Sequence, residues 1–139
     1  MNVCSFHFQV QTQGYTDMHD ITHSVQELLT QSGLQGGIAT VFVPSSTAGI
    51  TTLEFESGAI NDLKRAIERI APEGIRYDHD ARWGDGNGFA HVRAALLGPS
   101  LSLPFTRGKL ELGTWQQIIL IDFDNRPRGR EIKVQLVGD

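Results

Sequence analysis

The chain has 139 residues, 40% of them apolar, which is enough for one domain with one buried core and too hydrophobic for a disordered chain. Twelve Lys and Arg against sixteen Asp and Glu leave a net charge of −4, a surface that repels a nucleic-acid backbone, so no nucleic-acid partner is expected. The lone Cys4 excludes an internal disulfide and a thiolate zinc site, no apolar run nears the roughly 20 residues of a membrane span, and no signal-peptide pattern opens the chain, so a reduced, cytoplasmic protein with no membrane partner is expected.

Residues Cys4 to Gln11 alternate, with Phe6, Phe8 and Val10 on one side, and predict a half-buried strand. The pattern changes at Thr16–Asp17. Ile21, Val25, Leu28 and Leu29 then form a helical stripe, with Thr16, Asp17 or Asp20 to cap its start and Gly33 suited to the left-handed residue beyond its end. Ile38–Val43 and Ile50–Phe55 read as strands on either side of a polar Pro44–Gly49 turn. Ile60, Leu63, Ala66, Ile67 and Ile70 mark a second amphipathic helix, stopped by Pro72.

Tyr77 to Asn87 has no periodicity and reads as an exposed loop carrying Trp83. Ala90–Leu97, Lys109–Leu112, Trp115–Phe123 and Glu131–Val137 read as strands. Trp115, ahead of the apolar Ile118–Ile121 run, is expected to be buried in the core or in a subunit interface. The sum is a single α+β domain over residues 1–139, with a mixed or antiparallel β-sheet core and about two helices.

Three groups of residues can carry chemistry. His79, in Tyr77-Asp78-His79-Asp80, and His91, placed at the start of a predicted strand, can transfer protons or bind a metal, with Asp78, Asp80 and Asp85 near enough to orient a ring. Their spacing matches no standard zinc motif, and a loop histidine and a hydrogen-bonded strand histidine remain the plain alternative. Glu54, in a hydrophobic stretch, and Asp62, in the first turn of the second helix, form the second group. Ser45, Ser46 and Thr47 can cradle an anion or simply make a hydroxyl-stabilised turn. Arg126, Arg128 and Arg130 can bind phosphate or keep an edge strand soluble. No Walker loop, dinucleotide fingerprint, nucleophile elbow or His-Glu-x-x-His string is present.

Taken in order, Asp20-Ile21-Thr22, Val41 to Ala48, Tyr77-x-His79-Asp80, Asn87-x-x-Ala90-His91, Ala95 to Gly98, Leu112-Gly113-Thr114-Trp115-Gln116-Gln117 and Asp122-Phe123-Asp124-Asn125-Arg126-Pro127-Arg128 resemble the YjbQ family, from about residue 15 to the C-terminus. The resemblance implies an α+β homotrimer with its site near subunit boundaries. It implies a secondary thiamine-phosphate synthase activity, joining a pyrimidine diphosphate to a thiazole phosphate with release of pyrophosphate. On that reading His79, His91 and Glu54 are catalytic, and His79 and His91 could hold a divalent metal, zinc or magnesium. Ser45, Ser46, Thr47, Asn87, Arg128 and Arg130 would hold a small phosphorylated or anionic molecule. Family members usually carry histidine where this chain has Ser45, which leaves two of three imidazoles. A non-catalytic trimer binding a metal or small anionic metabolite, or a different metal-assisted, hydrolytic reaction, are the alternatives. The two histidines are expected to meet in one pocket, with Glu54 nearby and Ser45 facing it.

Overall fold

The alternation at the start of the chain becomes a long strand. In the computed structural model, which describes all 139 residues, β1 (Asn2–Thr12) pairs antiparallel with β8 (Arg128–Gly138) along its whole length. The other strands are β2 (Asp17–Asp20), β3 (Gly36–Phe42), β4 (Ala48–Leu53), β5 (Ser100–Thr106), β6 (Lys109–Leu110) and β7 (Gln117–Asp122). They form two antiparallel sheets, one in the order β1-β8-β3-β5-β6 and one in the order β2-β7-β4.

Helix α1 (Thr22–Ser32) follows the predicted stripe and buries Val25 and Leu29. Asp20 accepts the Thr22 amide at its start, and Gly33, at φ 75°, closes its end in the left-handed region. Helix α2 (Ser57–Ile70) is capped by Glu56, whose two carboxylate oxygens accept the Gly58 and Ala59 amides. Asp62 therefore lies beyond the first turn, where it pairs with Arg65 on the exposed face.

The chain forms three layers because β7 is buried on both faces. Ile118 and Leu120 point into a core of sixteen buried residues shared by the two sheets and α1. Ile119 and Ile121, followed by Phe123, point the other way, into a second core with Met18, Phe89, Ala90 and Ala94, flanked by α2. A strand covered on both sides reads as an unbroken apolar run, which is what Ile118–Ile121 is. No helix is long and apolar enough to cross a membrane.

Two expectations fail here, and each has a physical reason. Ala90–Leu97 is not a strand but most of helix α4 (Gly88–Leu97). Short apolar runs do not separate strand from buried helix, and Ala and Leu dominate this one, both strong helix formers. Tyr77–Asn87 is not wholly loop, since α3 (Asp78–Trp83) forms within it. The helices thus number four rather than about two. The turn from β5 to β6 runs through Arg107 at φ 54° and Gly108 at φ 72°. Two consecutive left-handed residues suit a two-residue hairpin, but the first position favours Asn or Gly over Arg.

Arg107→Asn is accordingly expected to raise stability by about 0.5–1 kcal/mol, read as a higher urea midpoint at unchanged slope. A lower midpoint would mean that the arginine side chain makes a contact outweighing its backbone strain.

Candidate functional site

The site grows from two carboxylates at the end of β7. Asp122 and Asp124 are 0% and 1% exposed, burial that a charge tolerates only with partners. The chain turns through Asn125–Pro127, and β8 returns with Arg128 and Arg130 on one face. Arg130 meets Asp122 fork to fork, Nε donating to Oδ2 at 2.6 Å and Nη2 to Oδ1 at 3.0 Å. Arg130 then spends Nη1 on Ser45 Oγ and Nη2 on Thr47 Oγ1, each at 2.8 Å. Arg128 gives Nε to Asp124 Oδ2 at 3.0 Å and holds Nη2 at 2.8 Å from the same oxygen.

Three further elements end on these carboxylates. Thr12, the last residue of β1, donates to Asp122 Oδ2 at 2.5 Å. Thr47 donates to Asp124 Oδ2 at 3.0 Å. Asn87, just before α4, donates Nδ2 to Asp124 Oδ1 at 3.2 Å. Burial pushes the Asp124 carboxyl up, but the Asn125 amide, Asn87, Thr47 and the Arg128 charge outweigh it and hold it below the ordinary 3.8. The backbone is moulded to the same hub. Gly14 at φ 83° lies so close that a Cβ would stand 2.4 Å from the Asp124 carbonyl oxygen.

The histidines meet because α3 and α4 close on each other. Gly88 donates its amide to Asp80 Oδ1 at 2.8 Å, and a Cβ on Gly88 would stand 2.5 Å from the Tyr77 Cβ. That approach sets the His79 and His91 rings 4.3 Å apart, centre to centre, with a 38° tilt. His91 is on a helix, not at the start of a strand. Burial pulls its imidazole below the ordinary 6.5, helped by the His79 charge, while Asp124, Asp85 and Asp80 pull the other way. His79 Nδ1 is buried without a hydrogen-bond partner, the nearest carboxylate oxygen being Asp80 Oδ1 at 3.5 Å.

Pro44, Ser45, Ser46, Thr47, Asp85, Asn87, His91, Asp124, Arg128 and Arg130 line one open polar recess of about 440 Å³. The predicted anion-binding residues and His91 are therefore together, with His79 behind His91. Glu54 is not among them. Ala48 pairs with Asp122 at the near end of β4, and Glu54 is exposed beyond its far end, roughly 20 Å along the strand. Arg126 is exposed and lines the neighbouring recess with Asp85, Asn87, Asn125 and Arg128. Trp115 is 72% exposed in the single chain, so it does not belong to the core. Asp122 and Asp124 were not singled out from the sequence. Their signal was two carboxylates directly after an apolar run and just before alternating arginines.

The donors present do not match the metal that the resemblance implies. Two imidazoles on one tetrahedral zinc would have their ring centres about 5 Å apart; these rings pack closer, at 4.3 Å, against one another. No group of three His, Cys, Asp or Glu side chains converges anywhere in the chain. Ser45, at the third position, has its oxygen committed to the Arg130 guanidinium and the Thr47 amide. One chain's residues therefore do not fit a complete metal centre.

Comparison with known proteins gives a consistent result. The model of the UPF0047 protein YjbQ-like family matches residues 6–139. A UPF0047 protein from Methanothermobacter thermautotrophicus is 36% identical over 99% of this chain and 94% of its own length. The UPF0047 protein YugU of Bacillus subtilis is 34% identical over 94% of this chain and 96% of its own. Among solved structures, a YbjQ-like protein of unknown function from Sulfolobus solfataricus superposes with a TM-score of 0.89 at 30% identity, covering 99% of this chain and all 100% of its own.

Removing one member of the hub strands its partner. Asp122→Ala, which leaves the largely buried Arg130 without its carboxylate, is expected to cost about 3–5 kcal/mol by urea denaturation. Asp122→Ala combined with Arg130→Met should cost less than Asp122→Ala alone, and an equal or larger loss would show that the pair is not the interaction at stake.

Proposed function

The chain belongs to the YjbQ-like UPF0047 family, and on that premise we propose that the recess binds the phosphate of a small phosphorylated substrate while His79 and His91 move a proton beside it. The observation that carries this is the His79–His91 contact at the wall of a recess that also offers Arg128 and the Ser45–Thr47 hydroxyls. Arg130 is consumed by structure. Arg128 retains Nη1 for a ligand, and the exposed Ser46 adds a hydroxyl.

The reaction put forward is thiamine-phosphate synthesis. The thiazole nitrogen forms a bond to the pyrimidine methylene carbon as the carbon–oxygen bond to pyrophosphate breaks, and the electron pair leaves on pyrophosphate. Arg128 would offset charge on the departing oxygens, and the histidine pair would supply or remove a proton. A divalent cation enters this reading as the counter-ion of the diphosphate substrate, not as a resident group.

A non-catalytic anion-binding role is the second reading, favoured because Asp122 and Asp124 neutralise both arginines and leave little positive charge to offset that of a departing pyrophosphate. A homotrimer belongs to the proposal as well, as does a reducing compartment such as the cytoplasm, which suits the free thiol of Cys4.

Incubation with the two phosphorylated substrates and magnesium, with pyrophosphate release as readout, tests the reading. His91→Ala and His79→Ala should each lower turnover by about 10²–10⁴-fold. Arg128→Ala should weaken inorganic phosphate binding by about tenfold or more. Burial holds the His91 imidazole below its ordinary 6.5, which favours the neutral, proton-accepting form, so with His91 as the base turnover should fall on the acid side of that value. Arg128-dependent phosphate binding without turnover would select the second reading. Sedimentation should give three times the mass of the chain, and a monomer would overturn the trimer.

A further inference from the structure

We propose that Trp83 is the platform on which a planar ring of the phosphorylated ligand stacks, which makes it a specificity-determining residue of the recess. This rests on the phosphate-binding reading above. The recess lining offers hydroxyl, amide, carboxylate, guanidinium and imidazole groups, and apart from His91 no aromatic surface. A ligand held only there would be recognised by its charge and hydrogen bonds, with nothing to read the flat part of a molecule.

Trp83 is the exposed aromatic side chain that sequence neighbours tie to the recess. It ends α3, four residues after His79, so the two side chains lie on one face of the helix a single turn apart. The His79 ring touches His91, which lines the recess. On the other side, Asp85 also lines the recess, and two residues of chain span at most about 7 Å. Trp83 is thus tied to the recess from both directions along the chain.

Its state is that of a binding surface and not of a packing residue. The side chain is 64% exposed, although indole is the largest apolar group the chain could bury. The backbone beneath it is nevertheless fixed. Gly84 donates its amide to the Asp80 carbonyl at 2.8 Å, and Asp80 Oδ1 accepts the Gly88 amide. The Arg82 guanidinium lies over the ring, 5.4 Å from its centre, which orients the indole and makes the face beneath a cation available to a flat partner on its other side. The other exposed tryptophan provides an internal contrast. Trp115 precedes β7, whose far end carries Asp122, roughly 20 Å away along the strand.

The experiment uses the full chain and three probes, inorganic phosphate, ethyl phosphate and phenyl phosphate, with dissociation constants from calorimetry. Phenyl phosphate is expected to bind about tenfold or more tighter than ethyl phosphate, the range of a single ring stacked on an aromatic side chain. Trp83→Ala should abolish that preference and leave inorganic phosphate binding unchanged, which also shows that the variant is folded. Trp83→Phe should keep part of the preference. In a Trp115→Phe background, phenyl phosphate should quench the remaining tryptophan emission from Trp83 far more than inorganic phosphate does. Equal binding of phenyl and ethyl phosphate, or a preference that survives Trp83→Ala, overturns this inference alone. Failure of all three probes to bind overturns the phosphate-binding reading, and this inference with it.

Discussion

Two carboxylates almost wholly removed from water, Asp122 and Asp124, set the terms for the rest of the molecule. A buried carboxylate is tolerated only when opposite charge and donors surround it, and no single element could supply them all. The donors come from the end of β1, the turn before β4, the loop before α4 and the start of β8. The hub is therefore a convergence point, with single bonds to its carboxylates spanning up to 110 residues of chain. Its net charge is close to neutral, two arginines against two aspartates, so it is not a simple cationic patch. Only the donors left over after the aspartates are satisfied face the recess.

The second constraint is the double burial of β7. Sheet packing on one side and helices on the other fix its direction and depth, so the position where its apolar run ends is fixed as well. Asp122 sits at that end. The helical layer carries α4, and with it His91, to the same corner of the molecule. The imidazole pair and the carboxylate hub thus share a location because they flank the same strand, one through its end and one through its outer face.

Much of this was legible in the residues. The alternation of Phe6, Phe8 and Val10 gave β1, the stripes of Ile21–Leu29 and Ile60–Ile70 gave α1 and α2, and Gly33 marked a helix end. The meeting of His79 and His91 was expected from the family resemblance, and Gly84 and Gly86, both in the left-handed region, lie in the return between them. What stayed hidden depended on neighbours remote in sequence. Ala90–Leu97 has no period because the exposed face of α4 is apolar as well, with Val92 39% and Leu96 66% exposed opposite the buried Ala90 and Ala94, and β5, with Pro104 and alternating serines, shows no clear apolar strand pattern. Glu54 drew notice by sitting in a hydrophobic stretch, yet the strand before it runs away from the site. Trp115 looked like core because it precedes an apolar run, but the buried stretch starts only after the exposed turn. Burial of Asp122 is a property of four elements at once, and no local window contains them.

The strand order has a consequence for how the molecule comes into being. In the larger sheet β8 lies between β1 and β3, although it is the latest of all the strands in the chain. A nascent chain emerging from the ribosome therefore carries β1 and β3 with no central partner until the final strand is synthesised. The half-apolar β1 spends that interval as an open edge, the situation in which chaperone capture and mispairing between chains compete with folding. Because Arg128 and Arg130 arrive on that same strand, Asp122 and Asp124 cannot be buried before it docks. Completion of the sheet and assembly of the recess are one event.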